Sequence, residues 1–503
     1  MRLAFPMALV AGGVNVFSFA PFHWWPIQIV TLALLFWLVA GQTSLRRSML
    51  VGWAFSFAWL AAGFHWLYIS MHRYGGLPSW MAVLAVALLA AALALFLALM
   101  MGLAARFKQR NATSLPLLML AVLPICWMLS EWLRGWILTG FPWIASGYAH
   151  TASPLEGFAP IVGVYGLAWL VAVLAGCLVL IPARKSAALL ALLIVHGGIG
   201  LKRIDWTQPY GQAISVRLLQ GNIAQDMKFA QDRIQSTLML YHDLIRSEPA
   251  DLIATPETAL PLLSRQLPPD YLPSIAAYGK ESNSHIAIGV AVSDGPYQYA
   301  NSLIGLSPDS DGQFYRYDKH HLVPFGEFIP AGARWFVDMM RIPLGDFTRG
   351  DLLQKPFAVR DQLVMPNICY EDLFGEEIAN QLAAAYFSGA TPPTMLLNIS
   401  NIAWFGDSIA LPQHLQISQM RALETGRPML RATNTGATAV IGPKGNVLAQ
   451  LEPFTRGVLS STVQGYSGWT PYMLFGNTPV IVLAIASLLL IRFVARQRRK
   501  KSL

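Results

Sequence analysis

The sequence predicts a polytopic α-helical membrane domain with a separate α/β domain inserted before its last helix. The first observation is composition: the 503 residues are 54% hydrophobic and 13% charged, whereas a soluble globular chain is about 25% charged. The second is distribution, because apolar residues are dense over 1–201 and 477–495 and ordinary between them. The third is the alternation of short apolar runs with helical patterns in that middle block. We therefore predict domains at 1–211, 212–465 and 466–503.

Eight apolar segments have about the 20 residues that a membrane-crossing helix needs. They are 3–20, 24–40, 49–71, 79–104, 115–133, 161–182, 185–201 and 477–495. The first segment lacks a small-residue cleavage pattern, and further spans follow it, so we do not interpret it as a signal peptide. The sequence therefore predicts about eight transmembrane helices, seven before the α/β domain and one after it.

Basic residues predict the orientation of these helices. Lysine and arginine concentrate at alternate connections, and cytoplasmic loops carry such an excess. The connections hold Arg2, Arg46, Arg47, Arg106, Lys108, Arg110, Arg184 and Lys185, and the tail adds Arg496, Arg498, Arg499, Lys500 and Lys501. Both termini are thus predicted to be cytoplasmic, with the α/β domain in the periplasm if the membrane is a bacterial inner membrane. This topology also explains the net charge of +9, so we predict no nucleic-acid partner.

The middle block alternates β-rich runs with helical patterns. Strands are predicted at 214–220, 251–255, 285–292, 301–306, 314–318, 363–369 and 394–400, and as a pair within 428–442. The turn at 443–446 then indicates a hairpin. Helices are predicted over 230–246 and 409–425, and a third after Cys369. Strands mixed with helices, with both sheet faces covered, predict a layered α/β fold.

Three of the predicted strands end in polar residues that suit covalent catalysis. Glu257 follows one strand, Lys319 and Glu327 follow another, and Cys369 and Glu371 follow a third. Strand ends are where the sites of α/β sheets assemble. A carboxylate can accept the proton of a thiol, and an ammonium can stabilise an oxyanion. Isolated charges and a single cysteine are more often structural, so the order of residues alone leaves both interpretations open.

Glu371, two residues after the thiol, has two interpretations. In the first turn of a helix it would complement the helix dipole. If partly desolvated, it would instead serve as a general base. His320 and His321 suggest a metal site, but adjacent side chains on a strand face opposite ways. We therefore predict no metal and no cofactor.

The order Glu, Lys, Cys at strand ends resembles the nitrilase superfamily, the carbon–nitrogen hydrolases. The stretches that match are QGNIAQDMKF, TPETALP, YDKHHLVPFGE, NICYE, NISNIAWFG and RALETGRPMLRATNTGATAVIGPKG in the α/β block, and SEWLRGWILTGFPW in the membrane part. Seven spans, a nitrilase-like domain and a final span resemble the membrane-bound N-acyltransferases of that superfamily. Two positions depart from their pattern: Ile402 stands where an Asp is expected, and Phe229 where some members carry Trp.

The resemblance implies an αββα sandwich with a catalytic triad of Glu257, Lys319 and Cys369, supported by Glu327 and Glu371. It implies transfer of an acyl chain from a membrane phospholipid, through a thioester, to a lipoprotein. The acceptor would be the amine of its N-terminal diacylglyceryl-cysteine. We expect a monomer in contact with the lipid bilayer.

Aromatic and methionine side chains outside the spans are the candidate lipid contacts. The segment 328–347 directly follows Glu327, and either dips into the membrane interface or packs within the domain. Its candidate contacts are Trp335, Phe336, Met339 and Met340. Phe141 and Trp143 form either a second part of the lipid entry or an interfacial aromatic belt. Arg134 is a candidate for phosphate binding or a plain loop arginine.

Two other function classes share part of this pattern. A membrane-tethered amidase or nitrilase would use the same triad and resolve the thioester with water. A transporter or scaffold would use the α/β domain to bind a ligand. The second alternative is disfavoured because few charged residues lie within the predicted spans, where ion pathways usually place them.

Overall fold

The computed structural model describes residues 3–110, 113–226, 228, 230–295, 298–310, 313–330, 332, 334–337 and 346–501. The chain forms two compact units. The first comprises Met1–Tyr68, Ser79–Asp205 and Phe475–Leu503, and the second comprises Ile69–Pro78 and Trp206–Leu474. The last apolar helix therefore returns to the unit that holds the first ones.

The helices are listed here in chain order. They are α1 (Ala4–Val14), α2 (Trp25–Ala40), α3 (Leu45–Gly63), α4 (Leu67–Ile69), α5 (Ser79–Arg110), α6 (Leu115–Leu117), α7 (Leu123–Arg134), α8 (Ala159–Leu180), α9 (Lys185–Leu201), α10 (Gln231–Arg246), α11 (Tyr271–Ser282), α12 (Arg334–Val337), α13 (Gly375–Ser388), α14 (Ala410–Thr425), α15 (Pro471–Phe475) and α16 (Thr478–Lys501). The predicted helices over 230–246 and 409–425 are confirmed as α10 and α14.

Among the described residues, four helices are long and apolar enough to cross a membrane. They are Ser79–Arg110, Leu115–Arg134, Glu156–Leu180 and Thr478–Lys500. A fifth span results if Leu45–Gly63 and Leu67–Tyr74, which meet at 60°, are counted as one. The apolar helices Ala4–Ser18, Trp25–Ala40 and Lys185–Leu201 are shorter. Helix thus forms in every predicted segment, but three segments end before about 20 residues, and the count of eight spans stays a prediction.

Small residues let helices of the first unit approach closely. A Cβ atom on Gly12 of α1 would lie 2.0 Å from the carbonyl oxygen of Phe55 on α3. A Cβ atom on Gly176 of α8 would lie 2.0 Å from the carbonyl oxygen of Met119. Such contacts are typical of membrane helices, where close backbone packing replaces the hydrophobic effect as the source of association.

The second unit contains two β-sheets. The strands are β1 (Thr207–Gln220), β2 (Leu252–Ala254), β3 (Leu260–Leu263), β4 (His285–Ser293), β5 (Tyr299–Leu306), β6 (Tyr315–Asp318), β7 (Phe357–Val359), β8 (Gln362–Ile368), β9 (Met395–Ser400), β10 (Met429–Thr433), β11 (Ala439–Ile441), β12 (Val447–Gln450) and β13 (Gly457–Gly468). One sheet has seven strands in the order β13-β1-β2-β4-β5-β6, with β3 beside β4. The other has six in the order β12-β11-β10-β9-β8-β7.

The two sheets face each other, and helices cover their outer faces. Leu218 of β1 and Leu397 of β9 belong to one apolar cluster that draws on both sheets. Ile275 of α11 packs with the outer face of the first sheet, and Leu415 of α14 packs with that of the second. The predicted layered α/β fold is therefore confirmed as an αββα sandwich, because each sheet has two apolar faces to bury.

Strand register brings the candidate residues to one edge of the sandwich. β8 and β9 are parallel and pair Ile368 with Ile399, so Cys369 leaves the sheet at the edge where β9 also ends. Lys319 directly follows β6, and its backbone N–H donates to Asn301 of β5 at 2.8 Å. The sheets thereby hold the ends of distant segments in fixed relation, which a site of several side chains requires.

Candidate active site

Two carboxylates share one ammonium at this edge. The Nζ atom of Lys319 lies 3.1 Å from Glu257 Oε1 and 2.9 Å from Glu327 Oε1. The Asn301 side-chain amide donates to the same two oxygens at 2.7 Å each. All four side chains are buried. A network in which each charge has hydrogen-bonding partners is rigid, because any rotation would leave a buried charge unpaired.

Backbone N–H groups hold the second oxygen of each carboxylate in place. Glu257 Oε2 accepts from the backbone N–H of Asn401 at 2.9 Å, and Glu327 Oε2 accepts from that of Val323 at 2.8 Å. Burial alone would raise the pKa of Glu257, but Lys319, Asn301 and then Lys228 hold it below its ordinary value. Glu257 is therefore an ionised carboxylate near neutral pH, which a proton acceptor must be.

Cys369 lies at a sharp turn between β8 and a short 3₁₀ turn, Cys369–Leu373. Its φ angle is +53°, a left-handed conformation that is uncommon for residues other than glycine. Burial and then Glu257 raise the pKa of the Cys369 thiol to about 12, while Lys319 opposes them. The resting sulfur is therefore protonated near neutral pH, and nucleophilic attack requires a proton acceptor at the site.

Glu371 connects the turn at Cys369 to the strand end at Lys319. Its Oε2 accepts from the Tyr317 hydroxyl at 3.0 Å and the Ile368 backbone N–H at 2.6 Å. Its Oε1 accepts from the backbone N–H groups of His320 and His321 at 2.6 and 3.2 Å. Burial raises the pKa of Glu371 to about 7 against these hydrogen bonds. With both oxygens occupied, Glu371 holds two loops together, and its position in the first turn of the short 3₁₀ helix agrees with the first of the two sequence interpretations.

We expect Glu371→Gln to lower both the stability and the activity of the protein. A Gln amide nitrogen cannot accept, so two buried N–H or O–H donors would lose their partner, at about 1–3 kcal/mol each. The thermal midpoint of the purified protein should fall, together with its catalytic turnover. Glu281→Gln, at an exposed position of α11, is the matched control and should leave both unchanged. Equal thermal midpoints in the two variants would contradict this role.

A second buried network lies behind the Cys369 turn. Arg431 Nη1 lies 2.8 Å from Asp372 Oδ2, and both residues are completely buried. Arg431 Nη2 lies 3.0 Å from His414 Nδ1, and His414 Nε2 lies 3.3 Å from the Cys369 carbonyl oxygen. An arginine can only donate, so His414 accepts at Nδ1 and donates from Nε2 to Cys369. These contacts hold the backbone of Cys369 in its left-handed conformation.

Gly289 permits the backbone that carries Glu257 to pass close to β4. A Cβ atom on Gly289 would lie 2.2 Å from the Pro256 carbonyl oxygen and 2.9 Å from Glu257 Cα. Both neighbours are backbone atoms, so the added methyl group would displace the segment that bears the carboxylate. We expect Gly289→Ala to reduce turnover by at least tenfold, since a shift of about 1 Å can cost 10²-fold.

The control for this variant is Gly295→Ala, where the nearest atom to an added Cβ is 3.7 Å away. Measured in the same activity assay, Gly295→Ala should retain the turnover of the unchanged protein. If Gly289→Ala also retained it, the close approach of β4 would not position Glu257.

The candidate lipid contacts are only partly among the described residues. Trp335 lies on α12 and is 66% exposed. Phe336 belongs to the same short helix, but its side chain is outside the described part of the chain, as are Met339 and Met340. Phe229 is also outside it. Ile402 is buried and packs in the apolar cluster under the second sheet, so its side chain is part of the core.

Phe141 and Trp143 lie in the connection between α7 and α8. Trp143 is 3% exposed, and its ring centroid lies 4.7 Å from that of Trp66. Phe141 packs edge-on against Phe64 at 5.2 Å. Arg134 donates to the carbonyl oxygens of both connection residues, at 2.6 and 2.9 Å. Arg134 thus stabilises a folded connection and is only 3% exposed, which favours the structural interpretation of this residue over phosphate binding.

The adjacent histidines contact different groups. His320 Nδ1 lies 2.8 Å from the Gly350 carbonyl oxygen. His321 Nδ1 lies 2.8 Å from Glu377 Oε1, and its ring stacks on Phe374 at 3.4 Å. Within the described part of the chain, no group of three His, Cys, Asp or Glu side chains is placed to hold a metal ion. Both histidines therefore help to pack the loop that bears Lys319.

The chain matches two protein families along its length. Residues 11–177 match the apolipoprotein N-acyltransferase N-terminal domain, and residues 215–472 match the carbon-nitrogen hydrolase family. An apolipoprotein N-acyltransferase of Ralstonia nicotianae is 50% identical, over 99% of this chain and 94% of its own length. The chain belongs to the apolipoprotein N-acyltransferase family. The enzyme of the same name from Nitrosomonas europaea is 44% identical, over 99% of this chain and 98% of its own.

Membership of the apolipoprotein N-acyltransferase family makes the chain an enzyme of the carbon-nitrogen hydrolase superfamily. The resemblance predicted from the sequence is thereby confirmed. Among solved structures, an amidase from Nesterenkonia sp. is similar at 18% identity and a TM-score of 0.37, over 51% of this chain and 92% of its own. The apolar helices fit a membrane-bound acyltransferase.

Several residues that support the site were not predicted from the sequence, and they are either uncharged or part of a buried ion pair. Asn301 bridges the two carboxylates, and the Asn401 backbone fixes Glu257. Asp372 and Arg431 pair across 59 residues. The available signal was a polar residue inside an apolar run, as in NSLIGL and PMLRAT, because a polar group in a buried strand requires a partner.

Proposed function

We propose that the protein transfers an acyl chain from a membrane glycerophospholipid to the N-terminal amine of a diacylglyceryl-cysteine on a lipoprotein. The acyl chain passes through a thioester on Cys369. The observation that carries this proposal is the Glu257–Lys319–Glu327 network, within which one ionised carboxylate and one ammonium both act on the protonated Cys369 thiol. Family membership supports lipoprotein N-acylation as the overall reaction.

In the first step, Cys369 Sγ attacks the ester carbonyl carbon of the phospholipid as Glu257 takes the thiol proton. Negative charge develops on the carbonyl oxygen, and the Lys319 ammonium stabilises it. The carbon–oxygen bond then breaks, and protonated Glu257 returns its proton to the leaving oxygen. A lysophospholipid departs, and a thioester remains on Cys369.

In the second step, the α-amine of the acceptor attacks the thioester carbon. Glu257 takes a proton from the nitrogen as the new amide bond forms, and the proton then passes to the departing Cys369 sulfur. The triad thus returns to its starting state. A thioester reacts with amines more readily than an oxygen ester does, which favours this order of steps. Two half-reactions at one site predict ping-pong kinetics.

The membrane arrangement that suits this function has eight spans. Both termini would lie in the cytoplasm, the catalytic domain in the periplasm, and the whole chain in the inner membrane as a monomer. The alternating basic connections and a helix in each predicted segment support it. Reporter fusions after each predicted span test it, and two neighbouring fusions reporting the same side would contradict the count.

Mass spectrometry of the acyl-enzyme tests the reaction directly. Protein incubated with phospholipid alone should gain one acyl mass on Cys369, and a diacylated lipopeptide should then remove it as an amide product. Cys369→Ala should gain no mass. Cys126 and Cys177 are buried in the first unit, so a Cys126→Ala/Cys177→Ala variant should acylate normally.

The outcomes separate the proposed function from its alternatives. Loss of the adduct to water, with no peptide product, would indicate a hydrolase. No adduct in the unchanged protein would indicate a binding or transport function and would refute the thioester. An amide product in Cys369→Ala would place the nucleophile elsewhere.

A further inference from the structure

A second ammonium is buried beside Glu257. Lys228 is 2% exposed, although lysine is among the residues least often fully buried. Its Nζ atom donates to the Glu257 carbonyl oxygen at 3.2 Å and to Thr258 Oγ1 at 2.7 Å. Both acceptors are neutral, and among the described residues Lys228 forms no direct ion pair. Burial of an ammonium against two neutral oxygens requires compensation from charges a little further away.

The two acceptors belong to a strained turn. Thr258 has a φ angle of +45°, a conformation that is a true outlier for a β-branched residue. Such a backbone persists only where its surroundings hold it, and it clusters at functional sites. Lys228 binds both residues of this turn, one of which carries the proposed base. The lysine therefore fixes the direction in which the Glu257 carboxylate points.

The charges at the site also require a second cation. Glu257 and Glu327 both contact Lys319, so this group of three has a net charge of −1. Transfer of the thiol proton to Glu257 neutralises that carboxylate and creates the Cys369 thiolate, so the net charge of the three groups and the sulfur together stays at −1. The ionisable groups that act on Cys369 include Glu257, Glu327, Lys319, Lys228 and Arg431. Arg431 already pairs with Asp372, which leaves Lys228 to balance the excess negative charge.

We propose that Lys228 is a positioning residue of the active site, which holds the Glu257 turn and balances the charge of Glu257 and Glu327 when the Cys369 thiolate forms. This inference rests on the proposed role of Glu257 as the base. It assigns a function to the segment between β1 and α10.

The charge of Lys228 depends on pH within an accessible range. Burial lowers the pKa of Lys228 to about 8, while Glu257 and Cys369 oppose the shift. The charge is therefore present below pH 8 and is lost above it. A positive charge favours the thiolate, so the reactivity of Cys369 should rise less steeply with pH once Lys228 has lost its proton.

Alkylation of Cys369 by iodoacetamide tests the inference without lipid or lipoprotein. The full-length Cys126→Ala/Cys177→Ala protein in detergent is compared with the same protein carrying Lys228→Met, Lys228→Arg or Lys280→Met, from pH 6.5 to 9.5. Lys280 is an exposed residue of α11. Lys228→Met should react about tenfold more slowly at pH 7, the effect of one pKa unit on the thiol, and should show no change of slope near pH 8.

Lys228→Arg should keep the rate at pH 7 to within about threefold and lose the change of slope, because its guanidinium stays charged. Lys280→Met should match the parent. A Lys228→Met profile identical to that of the parent would overturn the inference. If Lys228→Met does not fold, the test rests on Lys228→Arg. A change of slope near pH 8 that persists in Lys228→Arg would overturn the inference.

The Thr258→Val variant tests the positioning role of Lys228 separately from the effect of its charge. It removes one acceptor and keeps the ammonium, so alkylation should be unchanged while kcat for acyl transfer falls and KM for phospholipid is retained. An unchanged kcat would overturn the positioning role. Because alkylation involves no acyl group, a failure of the proposed acyl transfer would leave the Lys228 profile intact, and the two failures are distinguishable.

Discussion

Glu257→Gln is expected to lower acyl transfer by about 10²–10⁴-fold, the usual contribution of a general base, and to make Cys369 more reactive towards iodoacetamide. The two effects have opposite signs because Glu257 acts in two ways. As an ionised carboxylate it accepts the thiol proton during attack. As a negative charge beside the sulfur it raises the pKa of Cys369, second only to burial.

The direction of the second effect follows from the charges. Removal of the Glu257 charge leaves Lys319, which lowers the pKa of the thiol, with one carboxylate partner in place of two. The thiolate fraction at a given pH should therefore rise, by about tenfold for each unit by which the thiol pKa falls. A misfolded variant would also alkylate faster, because a free thiol has a pKa of about 8.5, so the gain supports the charge effect only if Glu257→Gln keeps the thermal midpoint of the parent.

The measurement uses the Cys126→Ala/Cys177→Ala protein, so that only Cys369 is alkylated. Alkylation rates between pH 7 and 9 are compared with acyl transfer to a diacylated lipopeptide under the same conditions. Glu281→Gln serves as the charge-matched control and should change neither rate. A parallel fall of both rates in Glu257→Gln would show that the carboxylate acts mainly on structure.

The positions of the proposed triad residues were predictable because each residue follows a predicted strand. Periodicity locates those strands, and β2 and β6 run in the same direction, because β2 is parallel to β4 and two antiparallel pairings join β4 to β6 through β5. Cys369 follows β8, which belongs to the other sheet. The sequence could not show which charge dominates at the sulfur. Burial and Glu257 raise the pKa of the Cys369 thiol and outweigh Lys319, which lowers it, and this balance depends on distances that no spacing in the sequence encodes.

The membrane part was predictable in position but not in length. Hydropathy depends only on the number of apolar residues and not on whether the helix is continuous. It therefore predicted residues 49–71 as one span. The structure bends there, between α3 and the segment from Leu67, by 60°. Likewise, Trp143 looked like an interfacial residue, but the connection that contains it folds inward and is held by Arg134. Tertiary contacts decide both features, and they override local composition.

Arg431→Leu is expected to reduce the free energy of unfolding by about 3–5 kcal/mol, the usual effect of removing one partner of a buried ion pair. The loss would leave the buried Asp372 carboxylate without its ion-pair partner. It would also remove the donors to His414 and to the Ala437 carbonyl oxygen. Chemical denaturation of the purified protein in detergent, followed by tryptophan fluorescence, measures the change, and Arg265→Leu at an exposed site is the control.

A double variant distinguishes loss of the pair from loss of packing. Asp372→Asn removes the carboxylate charge, so Asp372→Asn/Arg431→Leu does not leave a buried carboxylate that has lost its ion-pair partner. The double variant should therefore be more stable than Arg431→Leu alone, with a coupling energy within the 0.5–3 kcal/mol range measured for residues in contact. If the loss of unfolding free energy in the double variant equals the sum of the losses in Asp372→Asn and Arg431→Leu, the two residues stabilise the fold independently.

The same variants connect this stability to catalysis. In Arg431→Leu, His414 loses the Arg431 donor at Nδ1, so the tautomer that donates from Nε2 is less favoured. The hydrogen bond from Nε2 to the Cys369 carbonyl oxygen is then lost for part of the time, and the residue at φ +53° loses a support. Cys369 alkylation should accordingly become slower in Arg431→Leu at temperatures where the protein is still folded, whereas Arg265→Leu should match the parent. An unchanged alkylation rate there would mean that the turn at Cys369 holds its shape without the Asp372–Arg431–His414 network.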